Sequence, residues 1–523
     1  MKNALLVLTL ICHLFIVEMT VQAASPKKPK LVVAIIVDQF RYDYLTRFRK
    51  DYNAGLARLL EHGAVFTDAH HVATPTVTAV GHATFLSGAP PFVSGIAGNE
   101  WYDRATRQTV TSVSDDSTKE IGGVPGAKGS SPRRLLVSTL GDQIKMQGGD
   151  SKVIGISIKD RSAILPSGHM ADAAYWYDVD SNSWVSSSYY RADLPAWAKE
   201  INRAHPAQKY MALSWMPFDA QGGKGKPFCS MVNGLDVPFC GMLEATPWGN
   251  EMIEQFAERA VIEEKMGKHQ STDLLTVSFS SNDYVGHAAG PDAPAVRDIS
   301  IRTDRLLGKF FDFLNRQVPA SDILIVLSAD HGVAPVPEVN QARKMPGGRL
   351  IDGDLSRVVQ DTLEKKYGAG KWIVANLNSS LYLNRELIHG MKLDQAEVEQ
   401  TAAAAVMTIP HIFRAYSAEA ISRGQVSNDP ISAHVGSGVM RQRSGDVIIV
   451  PEPYYLSTAT GTSHGTPYNY DTHVPIIFMG ESIKPGIYRQ RVHVTDIAST
   501  LAEILGVEAP SGAQGRVLGE IIQ

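Results

Sequence analysis

The chain has 523 residues, with 50 Lys and Arg against 54 Asp and Glu and a formal net charge of -4. That length provides for a large core and more than one domain's worth of chain. No basic excess points to nucleic acid, and no amphipathic lysine-rich stretch points to a membrane surface.

The first residues read as an export signal. Lys2 precedes an apolar run over 4–17, and small residues around Ala23 and Ala24 offer a cleavage site. This predicts a signal peptide at 1–24 and a mature chain, 25–523, in the periplasm. A retained membrane anchor is the alternative, because Glu18 follows the run. No later stretch reaches 18 apolar residues, so no stable membrane association is expected. Beyond residue 24 only Cys229 and Cys240 remain. An even pair in an exported chain is compatible with one disulfide, with two free buried thiols as the alternative. Two cysteines alone cannot hold a zinc ion, so any metal site must draw on His and carboxylates.

Residues 31–38, LVVAIIVD, contain seven apolar residues in a row, five of them β-branched. That is the pattern of a strand buried on both faces of a parallel sheet. Ligands in open α/β sheets bind beyond the carboxyl ends of the strands, which makes Asp38 a candidate metal or phosphate-site residue. A solvated loop start is the other reading. The spacing next predicts a helix over 44–62 and a short strand over 64–69. A helix over 79–86 follows, with Thr78 near its N-cap. A hydroxyl there is well placed to receive a phosphoryl group, or is an ordinary cap. Asn99, in the tight loop GIAGN at 95–99, reads as a turn cap or an anion donor. A helix is expected over 135–144 and a strand over 152–158. If the chain stays extended, Lys159 and Arg161 point to one side as an oxyanion clamp. The alternative is a solvated turn balanced by Asp160.

Residues 170–250 read as an insertion with one short strand near 211–215, and its aromatics line a rim or pack a satellite core. A helix over 249–266 leads to strand 274–280, which delivers Asp283 and His287, four apart and so on one helical face. The helix over 292–314 carries Arg302, Asp304 and Arg305, read as solvated. Strand 323–327 ends in Asp330 and His331. A second insertion spans 338–445, irregular apart from strands at 370–375 and 379–383 and a helix at 393–407. Strand 446–450, the loop around His464, strand 474–479 and a helix over 494–505 complete the chain. Three apolar strands thus end in Asp, or in Asp with His. This pattern supports a dinuclear metal hydrolase.

Seven ordered motifs carry a resemblance over almost the whole mature chain. They are VVAIIVDQFRYDYL at 32–45, TPTVTAVGH at 74–82, GIAGN at 95–99, IKDR at 158–161, SNDYVGH at 281–287, SADHG at 328–332 and TSHGTPYNYDTHVP at 462–475. The chain resembles the alkaline phosphatase superfamily, specifically the threonine-nucleophile, phosphate-insensitive alkaline phosphatases of Gram-negative bacteria. The resemblance implies an α/β fold with a large, mixed, mostly parallel sheet and helices on both faces. The insertions at about 170–250 and 338–445 would form a cap over the site. It implies a phosphomonoester hydrolase with Thr78 as nucleophile, a phosphothreonine intermediate and two zinc ions per chain. Asp38, Asp330 and His331 would bind one zinc, which also holds the Thr78 oxygen. Asp283, His287 and His464 would bind the other. Asn99, Lys159 and Arg161 would contact the phosphoryl oxygens, and His82 and His473 would pack nearby without being ligands. Small phosphomonoesters and inorganic phosphate are the expected partners, with weak diesterase activity and a monomeric chain. A nucleotide pyrophosphatase/phosphodiesterase and a non-catalytic phosphate-binding protein are the alternatives.

Overall fold

The structure, a computed structural model, describes residues 28–218, 227–230, 242–350 and 352–523. The expected signal peptide at 1–24, the glycine-rich loop at 222–226 and Cys240 lie outside the described residues.

Leu31–Val37 is a fully buried strand. It lies within an eleven-stranded sheet of order Gly486–His493, Ala64–His70, Ile476–Gly480, Ile323–Ser328, Leu31–Val37, Asp273–Phe279, Val153–Ser157, Ala173–Asp178, Ser183–Ser187, Ser114–Ile121 and Lys128–Ser130. The block from Ile323–Ser328 to Ala173–Asp178 runs parallel. Antiparallel strands close it on both sides, Ile476–Gly480 on one and Ser183–Ser187 on the other. Two groups of helices flank the sheet. Gly55–His62 and Pro247–Glu263 pack on the long helix Pro294–Gln317. In the other group, Thr78–Ser87 packs on Asp160–Ser167 and Thr495–Leu505. The α/β architecture follows from apolar strands too buried to leave either face to water.

Five expectations from the sequence are corrected. The stretch 44–62 is two helices, Tyr42–Arg47 and Gly55–His62. The break comes from Asp304, which is buried rather than solvated and accepts hydrogen bonds from the N–H groups of Asn53, Ala54 and Ala57. A carboxylate there caps the positive end of the second helix. The expected helix over 135–144 runs instead from Leu140 to Met146, because Thr139 and Asp142 form a capping box. The segment 170–250 holds more than one short strand, since Ala173–Asp178 and Ser183–Ser187 join the main sheet. Its aromatics pack rather than line a rim. Trp184 stacks on Phe256 at 4.1 Å, with Tyr175 and Trp197 edge-on or tilted against the same ring. The segment 338–445 is not irregular. It holds helices Asp352–Tyr367 and Gln395–Val406 and contributes Ile373–Leu377, Ser380–Leu383 and Ile412–Ser417 to a four-stranded antiparallel sheet. Val447–Pro451 completes that sheet. A second apolar core around Trp372, Leu381 and Val398 supports it.

The small sheet is tied to the main body by charge. Buried Asp446 accepts from the Leu383 N–H and from the guanidinium groups of Arg385, Arg441 and Arg104, the last on the far side of the junction. Paired and hydrogen-bonded in this way, the buried carboxylate is compensated.

His71 follows strand Ala64–His70 and its Nε2 lies 3.0 Å from the Ala329 carbonyl, so Nε2–H donates. Burial pushes its pKa down to about 4. Below the usual value near 6.5 the unfolded chain takes up a proton that the folded chain refuses. Stability should therefore fall as pH drops from 6.5 toward 4. In chelator, wild type should lose about 2 kcal/mol more than His71→Gln between pH 7 and pH 5, at ~1.4 kcal/mol per pH unit. Urea unfolding at the two pH values measures this, and parallel losses would contradict it.

Candidate active site

The parallel block brings its carboxyl ends to one place. Val37 leads to Asp38, Ser328 to Asp330 and His331, Phe279 to the helix Ser281–Ala289 with Asp283 and His287, and Ser157 to Lys159. Register aligns Val37 with Phe279 and Ile36 with Ser328, so these side chains start from neighbouring positions. Two donor triads result, Asp38/Asp330/His331 and Asp283/His287/His464, each with its ligand atoms within 4.8 Å of one another.

The hydrogen bonds fix the imidazole tautomers. His331 Nδ1 lies 2.9 Å from the Gly332 carbonyl, His287 Nδ1 2.9 Å from that of Thr462, and His464 Nδ1 2.7 Å from that of Thr76. Each Nδ1 therefore donates to a carbonyl, and Nε2 is the atom left to act as a ligand. The Nε2 atoms of His287 and His464 face each other at 3.2 Å, and His287 Nε2 is also 3.2 Å from Asp283 Oδ1. In the other triad His331 Nε2 lies 3.7 Å from Asp38 Oδ1 and 3.5 Å from Asp330 Oδ2. Asp38 Oδ1 is buried without a hydrogen-bond partner, and Asp330 Oδ2 has His82 Nδ1 3.2 Å away. Converging carboxylate and imidazole atoms suit a divalent cation, and two His/Asp sets of this kind suit zinc.

Lys159 lies between the triads. Its Nζ donates to Asp38 Oδ2 at 2.7 Å and to Asp283 Oδ2 at 2.6 Å. Burial works against the ammonium, but these two carboxylates outweigh it and raise its pKa. Burial likewise opposes charge on Asp283, yet Lys159 and His287 hold its carboxyl well below the usual range. Asp38 goes the other way, because burial and the neighbouring Asp330 push its carboxyl well up.

Thr78 begins the helix Thr78–Ser87 as its first residue, one position inside the expected N-cap. Its Oγ1 lies 3.5 Å from His331 Nε2. Asn99 caps that helix by accepting from the Ala79 N–H at 2.8 Å through Oδ1, which directs its amide nitrogen elsewhere. Gly81 lets the helix touch the ligand strand, since a Cβ there would lie 2.2 Å from the Asp330 carbonyl oxygen. Thr74 and Thr76 donate to the carbonyls of Gly465 and Thr466 and so join the Thr78 loop to the His464 loop. A cavity of about 150 Å³ lies beside His464, lined also by Asn376, Asn378, Ser379 and Tyr455 of the small sheet and its surroundings.

The extended backbone expected through Lys159 and Arg161 is corrected. The strand ends at Ser157, Lys159 is the N-cap of helix Asp160–Ser167, and Arg161 lies in its first turn. The two side chains therefore do not share the side of an extended strand. Lys159 is committed to the two carboxylates, whereas the buried Nε of Arg161 has no hydrogen-bond partner. His82 and His473 stay outside the triads. His82 Nδ1 lies 2.8 Å from the Thr78 carbonyl and Nε2 2.8 Å from Ser278 Oγ. His473 stacks on His70, 4.6 Å away and 14° from parallel, in a further cluster with Asp68. Gln39, between the triads, carries no sequence signal, because a polar residue after a strand is ordinary.

The fold and these donor sets define an α/β enzyme of the alkaline phosphatase superfamily. The sequence profile of the type I phosphodiesterase / nucleotide pyrophosphatase family matches residues 32–474. The chain belongs to this family, and within the superfamily it is closely related to alkaline phosphatases of the PafA type. It is 34% identical over 520 residues to alkaline phosphatase PafA of Elizabethkingia meningoseptica, covering 95% of each chain. A protein of Myroides odoratus named calcium-transporting ATPase is 34% identical over 530 residues, again covering 95% of each. The crystal structure of wild-type PafA superposes with a TM-score of 0.89 over 95% of this chain and 99% of that one.

Removing Lys159 leaves two buried carboxylates without their shared cation. In chelator, Lys159→Met should lose about 3–5 kcal/mol of stability at pH 8. Saturating zinc should restore much of the loss by binding the folded state. Urea unfolding with and without zinc tests this, and an unchanged midpoint in chelator would refute the assigned role.

Proposed function

We propose that the protein hydrolyses phosphomonoesters through a phosphothreonine intermediate at a two-zinc site. The observation that carries this reading is the Thr78 hydroxyl, at the start of a helix and beside the Asp38/Asp330/His331 triad. Asp38, Asp330 and His331 would hold one ion with Thr78, and Asp283, His287 and His464 the other. When bound, the zinc ions supply Lewis acidity at the nucleophilic and leaving oxygens.

Thr78 Oγ attacks phosphorus, the P–O bond to the alcohol breaks and the alcohol leaves with a proton. Water then cleaves the phosphothreonine and returns the proton to Thr78. The Asn99 amide nitrogen and the Arg161 guanidinium donate to non-bridging phosphoryl oxygens, where charge-assisted bonds strengthen as charge develops. Lys159 acts through its charge on Asp38 and Asp283. The segment 338–445 forms the cap, with Asn378 and Ser379 facing the leaving-group side. We also propose an exported, periplasmic, monomeric enzyme, on the pattern of residues 1–24. No helix among the described residues is long and apolar enough to cross a membrane.

Diester cleavage is the second reading, favoured by the description of the matching family. A monoester dianion offers three non-bridging oxygens and a diester two, so donors beyond the metal triads favour the monoester. Since Lys159 is committed elsewhere, Arg161 is the discriminating cation. A charge-assisted hydrogen bond of about 1.5–3 kcal/mol corresponds to roughly 10–100-fold in rate. Arg161→Ala should lower monoester kcat/KM by that factor and diester kcat/KM by much less. Equal losses, or a wild type that prefers the diester, would promote the diesterase reading.

Thr78→Ala should lower turnover by more than about a thousandfold, as loss of a nucleophile does. Acid quenching of wild type with labelled substrate should place the label on the peptide containing Thr78. Label on another peptide would overturn the assignment.

A further inference from the structure

Gln39 immediately follows Asp38 and is buried. Its φ is +59, in the left-handed region that side chains with a Cβ seldom occupy. A glycine would adopt this backbone without penalty, so the side chain needs a reason. Its contacts supply one. The backbone N–H donates to Asp330 Oδ1 at 3.0 Å, in the first triad. The side-chain Nε2 donates to Asp283 Oδ1 at 2.6 Å, in the second.

Asp283 Oδ1 is the oxygen that faces the imidazoles, 3.2 Å from His287 Nε2 and 3.8 Å from His464 Nε2. Its partner Oδ2 is held by Lys159. Gln39 and Lys159 together therefore fix the plane of the carboxylate. The helix leaves room for this. A Cβ at Gly286 would lie 1.8 Å from Gln39 Oε1 and 2.9 Å from its Cδ. Gly286 is one residue before His287, so the glycine in this helix clears space for the amide that braces Asp283.

We propose that Gln39 is a positioning residue that aims Asp283 Oδ1 at the ion of the second triad, and that Gly286 exists to admit its amide. This rests on the reading that the triads hold ions. It adds that the two ions depend unequally on one residue. Gln39→Gly keeps the backbone conformation and the N–H to Asp330 and removes only the bond to Asp283. Loss of such a carboxylate brace typically costs about 10–100-fold in metal affinity.

The test is zinc affinity by chelator competition on the full chain, read as two dissociation steps. His287→Ala, which cripples the second triad, identifies the step belonging to the first. Gln39→Gly should weaken the second-triad ion about 10–100-fold and leave the other step in place. In the His287→Ala background it should change nothing. Gly286→Ala should weaken the same ion in wild type and add no further loss in the Gln39→Gly background, a coupling that general misfolding would not produce. Equal weakening of both ions, an unchanged second step, or a Gly286→Ala effect that persists without Gln39 would overturn the proposal. A wild type with no stoichiometric zinc would overturn the two-zinc reading itself, and is distinguishable because no step would then be seen.

Discussion

Three carboxylates, Asp38, Asp283 and Asp330, are buried at the ends of adjacent strands, and like charges so placed repel strongly at low dielectric. The rest of the site is organised around answering that repulsion. Lys159 neutralises Asp38 and Asp283 at once through a single ammonium. The three imidazoles each direct Nδ1–H to a backbone carbonyl and leave Nε2 as the atom facing the carboxylates. Three carboxylates against one ammonium leave the triads short of positive charge. The helix Thr78–Ser87 directs its positive end to the same region. A balance of this kind suits cations in the triads.

The loops are as constrained as the strands. Asp471, fully buried, accepts from the backbone and hydroxyl of Thr466. That fixes the turn following His464, while Thr74 and Thr76 join the same turn to the residues preceding Thr78. Thr78 and His464, almost 400 positions apart, are thus held by one set of short polar bonds. Asp446 does the equivalent for the small sheet, whose Asn378 donates to the Glu100 carbonyl next to Asn99. Motion of the small sheet would be felt at the residue that caps the Thr78 helix.

The parts of the site legible in the sequence are those written as strand ends. An unbroken apolar run such as LVVAIIV or ILIVL can only be a buried strand here, and the Asp or His that follows falls at the carboxyl edge. Parallel register then brings Asp38, Asp283 and Asp330 together without further information. What sequence could not show is the path of the chain after a strand. Lys159 and Arg161 look like neighbours on one face only if the strand continues, and it stops at Ser157. Asp304 looks solvated amid charged residues, but it caps a helix some 250 positions earlier in the chain. Helix Asp352–Tyr367 is strongly polar and has a weak periodic signal, so it reads as irregular.

Gln39 and Gly81 show why such sites resist reading from one sequence. Neither has chemistry of its own. Gly81 permits a helix to approach the backbone of Asp330, and Gln39 accepts an unfavourable φ to reach a carboxylate in the neighbouring triad. Each is understood only through a partner more than 200 residues away. Thr78 adds a third case. Its β-branch leaves few rotamers at a helix start, so a buried threonine delivers its hydroxyl to one place at less entropic cost than a serine would. Precision here comes from residues that do not react: a glycine that removes a clash, a glutamine that braces a ligand, and a methyl group that limits rotation. The reacting groups are common to many folds, whereas this support belongs to the particular way these four strand ends meet.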